Sequence, residues 1–243
     1  MCSLILCEGG TDSTLIQYFM REANNWSDNG KSKVSLNLNY ARDLKKEEKI
    51  LTIGATGGCS KIISYFEKAI ERNILSSEKD EIFNNIVIIS DRDEISTTNE
   101  FEKNIENVLS ENNIDINTNI KNDLWVECYA KNAQNKKIQF RILLLLIPFE
   151  ETGALETFLL NAIGKDNSYD NNIIQKGNSF VDTIDPEKKY LNSRRYITKA
   201  KFDVYFSVRT VAEQFSERQN ILKGVKWEEY ELIQNSFKKL KEL

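Results

Sequence analysis

The feature that most constrains the fold is a run of apolar, mostly β-branched residues in mid-chain, Asn-Ile-Val-Ile-Ile-Ser at residues 85–90. The run does not alternate with polar residues, which is typical of a strand buried on both faces of a parallel sheet. A second apolar run occupies residues 3–7, and a shorter one occupies residues 51–53. Segments with helical periodicity separate these strands. The sequence therefore predicts an α/β fold with a mainly parallel sheet flanked by helices.

The helices are predicted from apolar residues that recur at intervals of three and four. The first follows Gly9 and Gly10, with Thr11 or Asp12 as its cap. Further helices are expected over residues 62–70, over 101–109, from 153 onward and through most of the chain after residue 172.

Three other segments are predicted from local patterns. Residues 34–39 alternate as a short strand does, whereas the polar residues 24–32 before them break the pattern. Residues 124–130 and 137–147 flank a turn-like Asn-Ala-Gln-Asn and predict a hairpin insertion.

Near the end of the chain, one stripe of large apolar residues recurs at spacings of three and four: Trp227, Tyr230, Ile233, Phe237 and Leu240. Such a stripe either closes the domain core or binds a partner helix, and closing the core is the commoner use. The sequence leaves both open.

The chain has no histidine. This excludes mechanisms that need a histidine base or a histidine metal ligand, among them zinc proteases, HNH nucleases and Ser-His hydrolases. Four scattered cysteines form no C-x-x-C pair, so a zinc or disulfide framework is not expected. The chemistry must rest on carboxylates, lysines, hydroxyls or a bound metal.

The acidic residues that matter most stand where the two strongest strands end. Glu8 follows the first apolar run, and Asp91 and Asp93 follow the run at residues 85–90. In parallel sheets, functional residues gather outside the carboxyl ends of the strands. Acids held close together repel one another unless a divalent cation neutralises them, and oxygen-only ligands favour Mg²⁺ or Mn²⁺. A solvated turn is the alternative for the Asp-x-Asp, and a helix cap for Asp12.

These residues also carry a family resemblance. Residues 4–12, Leu-Ile-Leu-Cys-Glu-Gly-Gly-Thr-Asp, resemble the opening motif of the Toprim (topoisomerase–primase) superfamily. Residues 86–93 resemble its second motif, a strand ending in Asp-x-Asp, and residues 54–58 are similar to the glycine turn between the two. Residues 147–156 resemble a Pro…Gly-x-Leu-Glu signature of small stand-alone Toprim proteins.

Those small proteins resemble the nuclease domains of the overcoming-lysogenization-defect group and of ribonuclease M5. The resemblance implies a Toprim-like metal-binding domain over residues 1–165 and a helical extension over 166–243 packed on it. It implies a Mg²⁺- or Mn²⁺-dependent nuclease acting on DNA or RNA, tRNA included. It also implies a role in bacterial phage defence together with an ATPase partner protein. A homo-oligomer is compatible with the resemblance.

By the same resemblance, the metal ligands are Glu8, Asp12, Asp91, Asp93 and Glu156, with Asp12 and Glu156 in a supporting role. In the nuclease branch, a lysine beyond the acidic motifs stabilises the phosphate, and Lys199 and Lys201 are the candidates, with Lys201 assigned the catalytic place. The acid-free segment 188–201 supplies a positive strip for the nucleic-acid backbone, which a chain of net charge −4 needs locally: Lys188, Lys189, Arg194, Arg195 and Lys199. An exposed basic helix face is the alternative for this strip.

Two alternatives to a nuclease site are a phosphate-binding P-loop and a non-catalytic binding module. Residues 54–61 superficially suggest a phosphate-binding P-loop, but two residues separate the last glycine from Lys61 and no Ser or Thr follows it, so a tight turn before a helix is predicted. The other alternative is a non-catalytic Toprim module that binds a metal or nucleotide and acts through a partner.

No apolar run is long enough to span a bilayer and no signal peptide is recognisable, so a cytoplasmic protein without a membrane partner is expected.

Overall fold

The computed structural model describes residues 1–78, 81–149, 151–210 and 222–243. Its strands form one mixed sheet in the order β2-β3-β4-β1-β5-β8-β7-β6. In chain order the strands are β1 Cys2–Cys7, β2 Ser27–Lys31, β3 Asn39–Lys46, β4 Lys49–Ala55, β5 Phe83–Asp91, β6 Asp115–Ile116, β7 Trp125–Lys131 and β8 Lys137–Ile147.

The centre of the sheet is a parallel block. β4, β1, β5 and β8 are neighbours that all run in one direction, while the outer strands pair antiparallel. Cys7 lies opposite both Ala55 and Ile89, and Asp91 lies opposite Ile147. The carboxyl ends of four parallel strands therefore meet at one edge, and the predicted α/β class is confirmed.

Helices cover both faces of this block, as predicted. Their bounds are α1 Gly10–Asn24, α2 Cys59–Leu75, α3 Thr97–Glu111, α4 Leu155–Asp166, α5 Ser168–Ile184, α6 Arg194–Arg209 and α7 Glu231–Ser236, with short 3₁₀ turns at Trp227–Glu229 and Lys238–Glu242. The apolar sides of α2 and α3 pack in one core, and those of α1, α4 and α6 pack in the other.

The strands of the block separate these two cores because successive side chains point to opposite faces. In β1, Leu4 and Leu6 belong to the core under α2 and α3, whereas Ile5 and Cys7 belong to the core under α1 and α4. All four are completely buried. This is why the central strands lack polar alternation.

The predicted strand at residues 34–39 is wrong, and the polar stretch before it is a strand instead. Only Asn39 of that segment lies in β3, and β2 falls within the stretch that was expected to break the pattern. β2 is a largely exposed edge strand, so it carries no apolar signal. The alternation arose because Leu36 is buried from a loop and Leu38 packs against Gly54.

The C-terminal stripe closes a core rather than waiting for a partner. Trp227, Ile233, Phe237 and Leu240 are completely buried, and they are spread over the short helix α7 and the 3₁₀ turns on either side of it rather than lying in one helix. The Phe237 ring packs edge-on at 5.2 Å from Phe19 and at 6.2 Å from Phe158, measured between ring centroids. It therefore joins α1 to α4.

The proposed division at residue 165 stays a prediction. It falls in the last turn of α4, and residues 211–221 of the extension lie outside the described part of the chain. The described helices beyond it share one core with α1 and the sheet, through Phe202, Tyr205 and Phe206 among others. None of the helices described here is both long and apolar enough to cross a bilayer.

We expect Phe237→Ala to lower the free energy of unfolding by about 3–5 kcal/mol, because it opens a cavity between α1 and α4. Phe180→Ala is the matched control, since Phe180 is 51% exposed and its loss should change stability by less than about 0.5 kcal/mol. Denaturant unfolding measures both. Equal effects of the two substitutions would contradict the packing described.

Candidate metal centre

Glu8 is held at the end of β1 by the glycine turn that follows β4. The Glu8 carbonyl accepts hydrogen bonds from the backbone N–H groups of Gly57, at 3.1 Å, and of Gly58, at 3.0 Å. Both glycines have positive φ, +86° and +134°, which residues with a side chain rarely adopt. The turn then opens α2, so residues 54–58 position Glu8, and the tight turn predicted in place of a P-loop is what the structure contains.

The Glu8 side chain is fixed from the neighbouring strand. The Ser90 hydroxyl donates to Glu8 Oε2 at 2.9 Å. Ser90 lies in β5, which pairs with β1, immediately before Asp91. The pairing of two parallel strands thus brings the first predicted acid beside the second.

Asp91 is the last residue of β5, and its carboxylate bridges to α4. Asp91 Oδ1 accepts the Leu155 N–H at 2.8 Å, at the first turn of that helix. The next residue is still paired, because Arg92 forms an antiparallel bridge with Gly153. The chain therefore stays extended past the strand end, and Asp93 follows on the exposed side of the same edge.

Asp12 closes the first turn of α1 from inside. Its Oδ2 accepts the Gly9 N–H at 2.6 Å, and Gly9, rather than the predicted Thr11 or Asp12, is the N-cap residue. The helix therefore begins two or three residues earlier than a cap at Thr11 or Asp12 would place it. A Cβ on Gly9 would lie 2.9 Å from Asp12 Oδ2, so glycine is needed for this approach.

The five predicted ligands meet at one open cavity of about 500 Å³. Glu156, which is 7% exposed, reaches it from the first turn of α4. The acidic lining, which we call the acid cavity, consists of Glu8, Asp12, Asp91, Asp93 and Glu156, together with Glu94. Glu94 was not singled out from the sequence, although its place directly after Asp93 was the available signal.

The start of α6 forms the opposite wall of the acid cavity. It contributes Ser193, Arg194, Arg195, Thr198 and Lys199. The Arg194 guanidinium donates to the Asp93 carbonyl and joins the two walls. Ser193 caps the helix by accepting the Tyr196 N–H at 3.3 Å. Positive side chains and a helix N-terminus therefore line the same cavity as the carboxylates.

Two residues of the predicted basic strip, Lys188 and Lys189, and the predicted catalytic lysine, Lys201, do not line this cavity. Lys201 Nζ lies 2.8 Å from Asp182 Oδ1 of α5, in an ion pair. Lys188 and Lys189 lie in the loop before α6, where the Lys189 N–H is bonded to Asp185. Of the two lysine candidates, the structure brings Lys199 and not Lys201 to the acids.

The carboxylates disturb one another. Burial, followed by the charges of Glu8 and Glu156, raises the pKa of Asp12 to about 7, although the Gly9 hydrogen bond opposes the shift. Burial raises the pKa of Asp91 well above its usual range, and the charges of Asp12 and Glu8 are the next causes. Asp12 and Asp91 therefore keep their protons to a higher pH than ordinary carboxyl groups do, because full ionisation would crowd several negative charges together.

The residues fit a hard divalent cation by their chemistry, because every acidic donor is an oxygen and the crowding of the carboxylates raises the pKa values of Asp12 and Asp91. Glu8, Asp12 and Asp91 each have one oxygen bonded to a protein donor, and a carboxylate offers about four lone-pair sites. Within the described ranges, no three Asp, Glu or Cys groups converge as a ready-made metal site.

Comparison with known proteins gives a family without an assigned activity. The family described as "Protein of unknown function (DUF3226)" matches residues 3–241. No curated protein matches the chain significantly. Among solved structures, the crystal structure of hypothetical protein PH0156 from Pyrococcus horikoshii OT3 is similar at 14% identity and a TM-score of 0.46, over 99% of this chain and 98% of that one. So distant a likeness carries no argument about the site.

We expect the metal-free protein to lose stability as the pH rises from about 4 to about 7. An unfolded Asp has a pKa of about 4, so the folded state, in which the pKa values of Asp12 and Asp91 are raised, binds extra protons in this window. The contribution of Asp12 is complete below the window and lost above it, and that of Asp91 is lost as the pH rises through its own raised pKa. Denaturant unfolding at about pH 5 and about pH 8 in EDTA measures the difference.

Asp12→Asn should reduce this pH dependence, since it removes one of the two shifted groups while its amide oxygen still accepts the Gly9 hydrogen bond. Asp115→Asn, at an exposed carboxylate on β6, is the control and should keep the wild-type dependence. Mg²⁺ should restore stability at the higher pH. Wild-type stability that is independent of pH would contradict the electrostatics described.

Proposed function

The chain belongs to the DUF3226 family, and since the description of that family states no activity, we propose from the site itself that the protein is a Mg²⁺- or Mn²⁺-dependent phosphodiesterase of the Toprim type. It cleaves the phosphodiester bonds of DNA or RNA. One observation carries the proposal: carboxylates and basic side chains line one and the same open cavity.

The carboxylate wall would hold the cation. Glu8, Asp91 and Asp93 stand on the carboxyl edge of the parallel block, and Asp12 and Glu156 support them from the first turns of α1 and α4. When bound, a divalent cation polarises the phosphate and neutralises the charge that builds up on its oxygens. The pKa of Asp12, raised to about 7 in the metal-free protein, is consistent with a cluster built for such a charge.

The basic wall would hold the phosphate. Arg195 and Lys199 supply positive charge, and the N-terminus of α6 adds backbone N–H groups that favour anions. The Arg194 guanidinium is bonded to the Asp93 carbonyl, so its part is to hold the two walls together. The local charge of this wall offsets the net charge of −4 of the chain.

The absence of histidine limits how protons move. Nothing in the chain can serve as a histidine base, so the attacking water and the leaving oxygen must be served by carboxylates, lysine or the cation. Lys199 is the lysine at the acid cavity, and we assign it the role of stabilising the leaving oxygen. Lys201 is paired with Asp182 and takes no part in this scheme.

The acid cavity also fits the rival, a non-catalytic module that binds a metal or nucleotide, because its carboxylates and cations could hold such a ligand without cleaving a bond. The two functions separate in one assay, in which the protein is incubated with single-stranded DNA, duplex DNA, total RNA and tRNA in Mg²⁺ or Mn²⁺. Metal binding without cleavage of any of them, alone or with an ATPase partner, would favour the module. The ATPase partner and the phage-defence setting stay predictions.

Asp91→Asn and Glu8→Gln should each lower metal-dependent cleavage at least about 100-fold, because even residues that only support metal ligands commonly cost 10- to 100-fold. Cleavage is measured with the labelled substrate that the wild type cuts. Asp115→Asn, an exposed acid outside the acid cavity, is the control. Full activity in both site variants would refute the assignment.

The two lysines give a second, matched test. Lys199→Ala should lower the cleavage rate about 100-fold or more, as the loss of a group that stabilises transition-state charge does. Lys201→Ala removes an ion pair with Asp182 on the partly exposed surface of α5 and α6 and should have a far smaller effect. A larger loss in Lys201→Ala would return the catalytic role to Lys201.

A further inference from the structure

Tyr40 is exposed in a conformation that its packing does not explain. Its side chain is 62% exposed, and its φ of +52° lies in the left-handed region that non-glycine residues rarely enter. The strand pairing between β3 and β4 shifts register between Asn39 and Arg42, which marks a bulge at this residue. Bulges of this kind re-aim a side chain, often beside an active site.

The ring lies at the rim of the acid cavity. A Cβ built on Gly10 would come within 2.7 Å of Tyr40 Cε2, so the ring packs directly on the backbone at the start of α1. Gly10 itself lines the acid cavity. The Gln17 side-chain amide of α1 donates to the Tyr40 carbonyl at 3.1 Å, so α1 also holds the backbone of the bulge.

Beyond Tyr40 runs a second cavity of about 710 Å³, which we call the Tyr40 groove; its walls include Lys31, Asn37, Asn39, Arg42 and Lys223. Three of its lining residues are cations, and none of the described ones is a carboxylate. Arg42 is ion-paired with Asp28 at 3.1 Å, so Lys31 and Lys223 supply the net positive charge of the groove, which is opposite in sign to that of the acid cavity next to it. The asparagine amides can donate to and accept from polar base edges.

We propose that the Tyr40 groove binds the nucleotides that flank the cleaved bond of a single-stranded nucleic acid, with a base stacked on the Tyr40 ring. The proposal rests on phosphodiester cleavage in the acid cavity, which would take the scissile phosphate. An exposed aromatic ring beside cationic and amide side chains is the combination that binds unpaired strands. A duplex keeps its bases inside the helix and would offer this groove only phosphates.

The test measures binding separately from cleavage. Labelled oligonucleotides of about 12 nucleotides, as single-stranded DNA, as RNA and as a duplex, are titrated with the full chain in EDTA and followed by fluorescence anisotropy. Tyr40→Ala should weaken single-strand binding about 5- to 100-fold, while Tyr40→Phe should retain most of it. The DNA and RNA arms show which sugar the groove accepts.

Two controls guard against a trivial loss. Tyr129→Ala removes an exposed tyrosine (43% exposed) from β7, near the opposite edge of the sheet from β3. This variant should bind single strands as the wild type does. Tyr40→Asn also removes the ring, but asparagine tolerates a positive φ, so the test survives if Tyr40→Ala fails to fold.

Lys31→Gln should lower the slope of log affinity against log salt by about one, because it removes one cation of the Tyr40 groove.

Tighter binding of single strands than of duplex, lost in Tyr40→Ala and kept in Tyr40→Phe, supports the proposal. Wild-type affinity in Tyr40→Ala and Tyr40→Asn, an equal loss in Tyr129→Ala, or equal affinity for duplex overturns it. The two proposals fail separately: binding that depends on Tyr40 without any metal-dependent cleavage refutes the nuclease, and cleavage abolished by Asp91→Asn but unaffected by loss of the Tyr40 ring refutes the groove.

Discussion

The parallel pairing of β1 with β5 is the contact on which the candidate site depends. It sets Cys7 opposite Ile89, and the next residues along, Glu8 and Ser90, then meet through their side chains at 2.9 Å. The pairing is secured by apolar residues buried on both faces of each strand. A register shift of one residue would turn these side chains to the wrong core, so the hydrophobic pattern also fixes the position of the acids.

That precision has a cost in electrostatic energy. The fold holds Asp12 and Asp91 where burial and their neighbours oppose ionisation, and three backbone or hydroxyl donors keep the carboxylates in place. Strain of this kind, concentrated at one end of an otherwise apolar sheet, is typical of sites that bind or react. The Glu8 backbone is held by the glycine turn, and the Asp91 side chain by the start of α4.

Much of this could be predicted from the sequence, because the central elements are strongly patterned. The unbroken apolar run before Asp91 predicted a central strand, and its carboxyl end predicted where the acids would meet. The edge strands could not be predicted in the same way: β2 is held by backbone hydrogen bonds and carries almost no apolar side chains. Nor could the sequence choose between Lys199 and Lys201. The two lie on different sides of α6, and which side meets the cavity is set by how Phe202, Tyr205 and Phe206 pack.

Phe237 gives the end of the chain an unexpected part in this arrangement. It touches Phe19 of α1 and Phe158 of α4, and the first turns of those two helices carry Asp12 and Glu156. The C-terminal segment therefore links the two helices that position these carboxylates in the acid cavity. Anything that displaces it, whether a cut before Trp227 or a partner that binds the last residues, acts on the spacing of those carboxylates through the packing between their two helices. The alignment of the acids thus depends on residues that never touch the cavity.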